Sequence, residues 1–316
     1  MSEAYFEILR AGINSTLQDE GRFHQYHIGL PISGAIDKRN YLISNHLVGN
    51  KSNTASLEFA YQGPLLKLKS GRASVVITGD VIFNIIRKNS EIEEGVCYQT
   101  FSLNQDDQLD IISTNKSVYG YLSVQKGFKG EYFWGSCSIH TKSEVGSNKG
   151  KKFSINDKIF LNQSEINHNS KKIDYFNSKI EFIRILKGTN FDYFSDKSKK
   201  DFFSKEFTIT KLTDRMGMRI KGPKIENIVD TNIKSEGLIK GVIQVPSDGD
   251  PIIMLSDHGT IGGYPKIGVV ISADYDKLVQ LTPGNTVKFK LVELSEAEKL
   301  FQLYNLETKT ILDQIK

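Results

Sequence analysis

Polar side chains crowd one stretch of the chain, residues 235–265, SEGLIKGVIQVPSDGDPIIMLSDHGTIGGYP. Glu236, Gln244, Asp257 and His258 stand there among short apolar runs, and Gly262, Gly263, Tyr264 and Pro265 close the stretch. A strand pair built only for packing needs none of these polar groups. A lactam, carbamate or amide substrate needs a proton acceptor, a proton donor and a donor facing the developing oxyanion. Glu236 and Asp257 have the chemistry to accept. Arg215, Gln244, His258 and the glycine N–H groups have the chemistry to donate. The competing reading is a barrel corner whose glycines only turn the chain.

Three other groups carry chemistry. Residues 16–22 read TLQDEGR, and residues 29–37 read GLPISGAID. Gly, Pro, Ser and Gly so close together predict a rigid turn with exposed N–H groups, which suit carboxylate or phosphate oxygens. Ser33, Gly34 and Asp37 are the substrate-binding candidates there, with Asp37 equally suited to cap the helix that follows. Residues 213–219 read TDRMGMR. In a strand, Arg215 and Arg219 face one side and fork a carboxylate or phosphate. The alternative for Arg215 is a structural ion pair with Asp214 or Glu236.

Several signatures are absent. GSNKGKK at residues 146–152 is superficially similar to a phosphate loop, but it is one residue short between its glycines and ends in Lys. No dinucleotide fingerprint, nucleophile elbow or zinc-protease motif is present. Cys97 and Cys137 lack the spacing of a zinc site or disulfide framework, so no metal is expected. Cys137 follows Gly135 and Ser136, which admits a nucleophile, but no histidine can be paired with it from the sequence, so a small buried filler is the favoured reading.

The elements that must position these groups are mostly strands. A length of 316 residues favours two domains. The polar stretch 162–172 reads as a linker, giving one β-rich subdomain over 1–165 and another over 178–316. Residues 75–86, VVITGDVIFNII, read as a hairpin turning at Gly79 and Asp80. Residues 109–113 and 119–124 read as a second hairpin. Alternation continues over 179–186 and 287–291, where Val287, Phe289 and Leu291 share a face. Short strands with glycine turns indicate barrels or curled sheets rather than βαβ units. Helices are few and short: 38–48 capped by Asp37 and stopped by Gly49, 274–281, and a last one opening on a capping box at Ser295. A net charge of +4 with acids interleaved argues against nucleic acid. The lysine patches 197–200 and 149–152 read as solvated loops. No run approaches a membrane span and no leader is recognisable, which predicts a cytoplasmic protein.

TLQDEGR, GLPISGAID with NHLVGN, ASLEFAYQGP, TDRMGMR and the block from Ser235 to Phe289 occur in one order. Together they resemble the biotin-dependent-carboxyltransferase-like family, also known as allophanate hydrolase subunit 2 or KipA-like. The resemblance implies a mainly β protein of two subdomains, the second a cyclophilin-like β-barrel. It implies a 5-oxoprolinase that opens 5-oxoproline to glutamate, active only in complex with KipI-like and LamB/YcsF-like subunits. This chain then binds no cofactor alone, and the assembly uses ATP. The alternatives are a KipA-like antagonist of a KipI-like histidine-kinase inhibitor, and the carboxyltransferase of a biotin-dependent urea carboxylase. The chain departs from the family pattern at Lys126-Gly127, Gly150-Lys151 and Gly188-Thr189.

Overall fold

The computed structural model describes residues 3–162, 170–175 and 181–315. They form two compact units with interleaved chain segments. Met1–Phe23, Ser33–Phe176 and Thr308–Lys316 make the first; His24–Ile32 and Asn177–Glu307 make the second. The sequence pattern predicts two consecutive stretches, whereas residues 24–32 and 308–316 each count with the other unit.

The first unit holds two antiparallel sheets. One has six strands in the order Lys158–Phe160, Tyr5–Arg10, Leu65–Leu68, Gln108–Thr114, Val81–Ile86 and Ile92–Glu94. The other has five: Thr16–Gln18, Ser56–Ala60, Tyr119–Val124, Arg72–Thr78 and Phe101–Asn104. Phe6, Ile8, Leu57, Phe59, Phe83 and Leu122 belong to one fully buried core. Each such side chain contributes about 1.5–3 kcal/mol by leaving water.

Both expected hairpins are corners instead. Arg72–Thr78 and Val81–Ile86 flank Gly79 and Asp80 but lie in different sheets, and so do Gln108–Thr114 and Tyr119–Val124. Gly79 sits at φ 108°, and a Cβ there would stand 3.0 Å from the Tyr119 carbonyl oxygen. The glycine lets the chain change sheets against a neighbouring backbone.

Helix α1 spans Lys38–Leu47, one residue shorter than expected, and Gly49 follows at φ 72°. Its Ile43 and Leu47 pack with Val76 and Ile315. Residues 163–169 of the expected linker lie outside the described residues. The described part is pinned: Thr100 N donates to the Lys171 carbonyl at 2.9 Å, and Ile173 N donates to Tyr98 O at 3.1 Å.

The second unit is built on one eight-stranded sheet. Its order is Thr286–Val287, Phe207–Thr213, Gly217–Lys221, Ile252–Met254, Val242–Gln244, Lys266–Val270, Ile183–Lys187 and Phe289–Leu291. The first and last strands are consecutive in the chain, with Lys288 alone between them. Its carbonyl accepts from Ile183 N at 2.9 Å, and Ile183 pairs in parallel with Phe289. The sheet thereby curls into a nearly closed barrel. The expected strand 287–291 is thus two edge strands, and of 179–186 only 183–186 fall in a described strand; 179 and 180 lie outside the described residues.

Helix α2 spans Asp196–Ser204, capped by Ser195, whose Oγ accepts from Ser198 N at 3.1 Å. The lysine patch expected in a loop belongs to this helix. Its inner side is Phe202, which stacks on Phe289 at 4.6 Å between centroids. Helix α3 spans Ser272–Val279, where the pattern predicts 274–281. Its buried Asp274 accepts from Arg184 N and Nε at 2.8 Å each. Helix α4 spans Leu294–Asp313 and is not short at 20 residues. Ser295 lies inside its first turn, so the expected capping box does not form; the Glu293 carbonyl takes the first bonds, from the N–H groups of Glu296 and Ala297.

Candidate active site

Within the second unit, a two-stranded ribbon pairs Glu236 with Gly262 and Gly237 with Ile261. It carries three of the expected groups to one place. Gln244, buried at the end of its strand, donates from Nε2 to the Tyr264 carbonyl at 3.1 Å. A Cβ on Gly262 would stand 2.7 Å from Gln244 Nε2 and 2.8 Å from Leu238 Cδ1. One on Gly263 would stand 3.1 Å from the Ile233 carbonyl oxygen. Neither glycine has a left-handed φ. The pair is required for close approach, not for an unusual backbone path.

The sequence reading missed the centre of this group. Lys266 pairs in register with Gln244 and is 3% exposed. Its ammonium meets Glu236 Oε2 at 2.7 Å and Asn190 Oδ1 at 3.5 Å. The Asn190 side-chain amide and the Thr189 hydroxyl each reach the Glu236 carboxylate at 3.5 Å. The Lys266 hydrogen bond holds the Glu236 carboxyl below its ordinary pKa, against the opposing effect of partial burial. Glu236 stays 43% exposed at its side chain, so the pair offers a fixed ammonium and an accessible carboxylate together. The signal was present: a lysine opening an apolar strand directly after Gly-Gly-Tyr-Pro has no packing reason to be there.

A second group lies along residues 215–258. Arg215 forks Asp257 through Nε and Nη2 at 2.8 and 2.9 Å, with both side chains buried. Its partner is neither Asp214 nor Glu236. Asp214 instead accepts from the N–H groups of Met216 and Gly217. Arg215 precedes the strand Gly217–Lys221 rather than lying in it, so it shares no carboxylate fork with Arg219. Arg219 holds Asp248 at 2.6 Å. His258 is 1% exposed. Its Nδ1 lies 2.7 Å from the Gly259 carbonyl, which can only accept, so Nδ1 carries hydrogen. In the neutral ring, Nε2 then accepts from the Tyr26 hydroxyl at 3.2 Å. Tyr264 is half-exposed.

The first unit holds Ser33, Gly34 and Asp37. The Asp37 carboxylate accepts from Asn40 N at 3.0 Å and Asn40 Nδ2 at 2.7 Å, which is the capping role. Gly34 sits at φ 74°, where a Cβ would stand 2.8 Å from the Gly21 nitrogen. Ser33 is left-handed at φ 59°, and its buried Oγ has no hydrogen-bond partner among the described residues. Asp19 of the TLQDEGR block accepts from the Ser136 and Ser138 hydroxyls at 2.6 Å each and from Cys137 N at 2.8 Å. Burial, with the Asp19 charge second, pushes the Cys137 thiol far above its ordinary pKa. That is the environment of an inert filler, not of a nucleophile. Among the described residues no group of three or more His, Cys, Asp or Glu could hold a metal ion, and no helix is long and apolar enough to cross a membrane.

Two β-rich units, one a nearly closed barrel bearing a lysine–glutamate pair under a glycine ribbon, are joined by a match in sequence. The chain belongs to the carboxyltransferase domain family, subdomain A and B, which it matches over residues 28–291. It is similar to the 5-oxoprolinase C subunit of Haemophilus influenzae, 30% identical over 98% of this chain and 97% of that protein. The Escherichia coli protein of the same name is 29% identical over 94% of each. The fold is also that of a part of the Kluyveromyces lactis urea amidolyase, with a TM-score of 0.87 at 24% identity; the match covers 98% of this chain and 20% of that one.

Proposed function

We propose that this chain is the C subunit of a 5-oxoprolinase, which opens 5-oxo-L-proline to L-glutamate with hydrolysis of ATP, and that it acts only with KipI-like and LamB/YcsF-like subunits. The observation that carries the reading is the near end-to-end likeness to the Haemophilus influenzae protein. The Lys266–Glu236–Gln244 group supports it chemically. Opening the lactam breaks its C–N bond, adds water oxygen at the carbonyl carbon and protonates the departing nitrogen. Transfer of a phosphoryl group from ATP to the lactam oxygen releases ADP and makes that carbon a better electrophile; once water has added and the C–N bond has broken, a second water releases the phosphoryl group as inorganic phosphate. In this reading Lys266 and Gln244 stabilise charge developing on the lactam oxygen, and Glu236 moves the proton. Purified chain, alone and mixed with the two other subunits, is supplied with ATP and 5-oxoproline and assayed for glutamate. Glutamate is expected from the three together and not from this chain alone. None from the three would overturn the reading.

A second reading is carboxyl transfer from carboxybiotin to urea. It draws on the urea amidolyase of Lachancea kluyveri, 24% identical over 98% of this chain but 18% of that protein. The purified chain, given a biotin carrier already carboxylated and urea, tests it through urea-dependent loss of the carboxyl group from the biotin.

A further inference from the structure

Asn190 is 3% exposed, and its side chain reaches both members of the Lys266–Glu236 pair. Its place follows from the strand before it. Ile183–Lys187 runs antiparallel to Lys266–Val270, and Gly188 carries the chain on over the start of that neighbour. A Cβ on Gly188 would stand 2.1 Å from the Lys266 carbonyl oxygen, so a glycine is needed where the two backbones lie so close. Gly188 N donates to the Ile267 carbonyl at 3.1 Å, and the Gly188 carbonyl accepts from Phe191 N at 3.2 Å. Tyr193 N then donates to the Asn190 carbonyl at 2.9 Å. Backbone bonds on both sides of Asn190 thus fix the point from which its side chain extends.

The amide can stand in one orientation only. Lys266 N, at 3.1 Å, can only donate, so the atom facing it is Oδ1. The other end, Nδ2, faces Glu236 Oε1 at 3.5 Å, and an ionised carboxylate can only accept. Both ends agree. The two oxygens of Glu236 are then unequal. Oε2 takes the Lys266 ammonium at 2.7 Å and lies 3.5 Å from the Thr189 hydroxyl. Among the described residues Oε1 has Asn190 Nδ2 alone, at the outer limit of a hydrogen bond. Oε1 keeps its basicity for an incoming proton, while Nδ2 sets where it points. Catalytic hydrogen bonds that are long in a free protein tighten around substrate.

We infer that Asn190 is a positioning residue: it holds Glu236 by Oε1, so that this oxygen takes a proton from the attacking water and passes it to the departing lactam nitrogen while Oε2 stays on Lys266. The inference rests on the 5-oxoprolinase reading above. The charged neighbour of Glu236 is Lys266; Thr189, Asn190 and Gly262 of the ribbon are neutral. The Lys266 bond does most to hold the Glu236 carboxyl below its ordinary pKa, and the Asn190 and Thr189 donors act in the same direction. Asn190→Asp keeps the shape and the bond to Lys266 N but puts a carboxylate oxygen where Nδ2 donates. Glutamate formation by the three-subunit assembly is measured against pH for wild type and variant. A like charge beside Glu236 should move the acid limb of kcat/KM up by about one pH unit or more. kcat should fall about tenfold with KM little changed, because the amide acts when the proton moves and not when substrate binds. If Asn190→Asp does not fold, Asn190→Ala, which removes the donor without adding charge, should move the limb the same way by less. Added to Glu236→Gln, Asn190→Ala should lower the residual rate no further. An unmoved acid limb in the folded variants, or an equal further loss in the Glu236→Gln background, overturns the positioning role and leaves the 5-oxoprolinase reading standing. No glutamate from the wild-type assembly removes both.

Discussion

A buried ammonium persists only with fixed counter-charge, and Lys266 finds it in Glu236, with the neutral Asn190 Oδ1 as a further acceptor. Lys266→Met keeps most of the volume and removes the charge. Because Glu236 is partly exposed, the orphaned carboxylate can be solvated. Folding should survive while glutamate formation by the assembly falls roughly a hundredfold or more. Normal turnover in folded Lys266→Met would take the lysine out of the site. The same pair sets a pH dependence. The Glu236 carboxyl titrates below its ordinary value in the folded chain. Its contribution to stability is therefore full above about pH 4.3, where a free glutamate ionises, and is lost as pH falls through the lower folded value. Urea midpoints of wild type and Glu236→Gln should converge in acid; parallel curves would show that the pair contributes nothing. Arg215 behaves differently. Its fork is filled by Asp257 in a buried pair, so Arg215→Ala leaves a carboxylate stranded and should cost roughly 3–5 kcal/mol. Thermal unfolding measures this, and an unchanged melting temperature would rule out a structural pair.

At the scale of elements, Asp37 stands at the start of α1 with both carboxylate oxygens bonded to Asn40. Asp37→Ala should cost about 1 kcal/mol and leave the KM for 5-oxoproline unchanged; a raised KM without loss of stability would return Asp37 to substrate binding. The cap was legible because it depends on neighbours in the chain. The corners at Gly79 and before Tyr119 were not. Alternating burial marks where a strand has a buried face, and both sheets of the first unit pack on one core. Nothing in the alternation says which sheet a strand enters. Helix α2 was hidden for a related reason: its lysines dominate the composition, and only Phe202 reveals the inner side. The polar crowding around the glycines was legible, whereas Lys266 was passed over, although a lysine opening an apolar strand directly after Gly-Gly-Tyr-Pro was the signal that could have found it.

At the scale of the molecule, residues 308–316 belong with the first unit. Ile311, Leu312 and Ile315 pack with Ile43, Leu47 and Val48, and Thr308 Oγ1 accepts from the buried Arg39 Nε at 3.0 Å. Deleting 308–316 should destabilise the first unit by several kcal/mol, since losing even one large apolar side chain from a core costs about 2–5 kcal/mol. Limited proteolysis should then cut within residues 33–162 first. Unaltered protease resistance would show that the segment is dispensable.

The closure of the barrel at Lys288 has a consequence for the order in which the chain is made. Domains generally fold in turn from the N-terminus as a polypeptide leaves the ribosome. Here Ile183 cannot meet its parallel partner Phe289 until more than a hundred further residues have followed it. The first unit waits longer still, for residue 308 and beyond. Neither half can finish early and shelter while the other is synthesised, so both hold unsatisfied strands and open apolar surface through most of translation. A nascent chain of this design depends on protection from aggregation until its final helix has emerged.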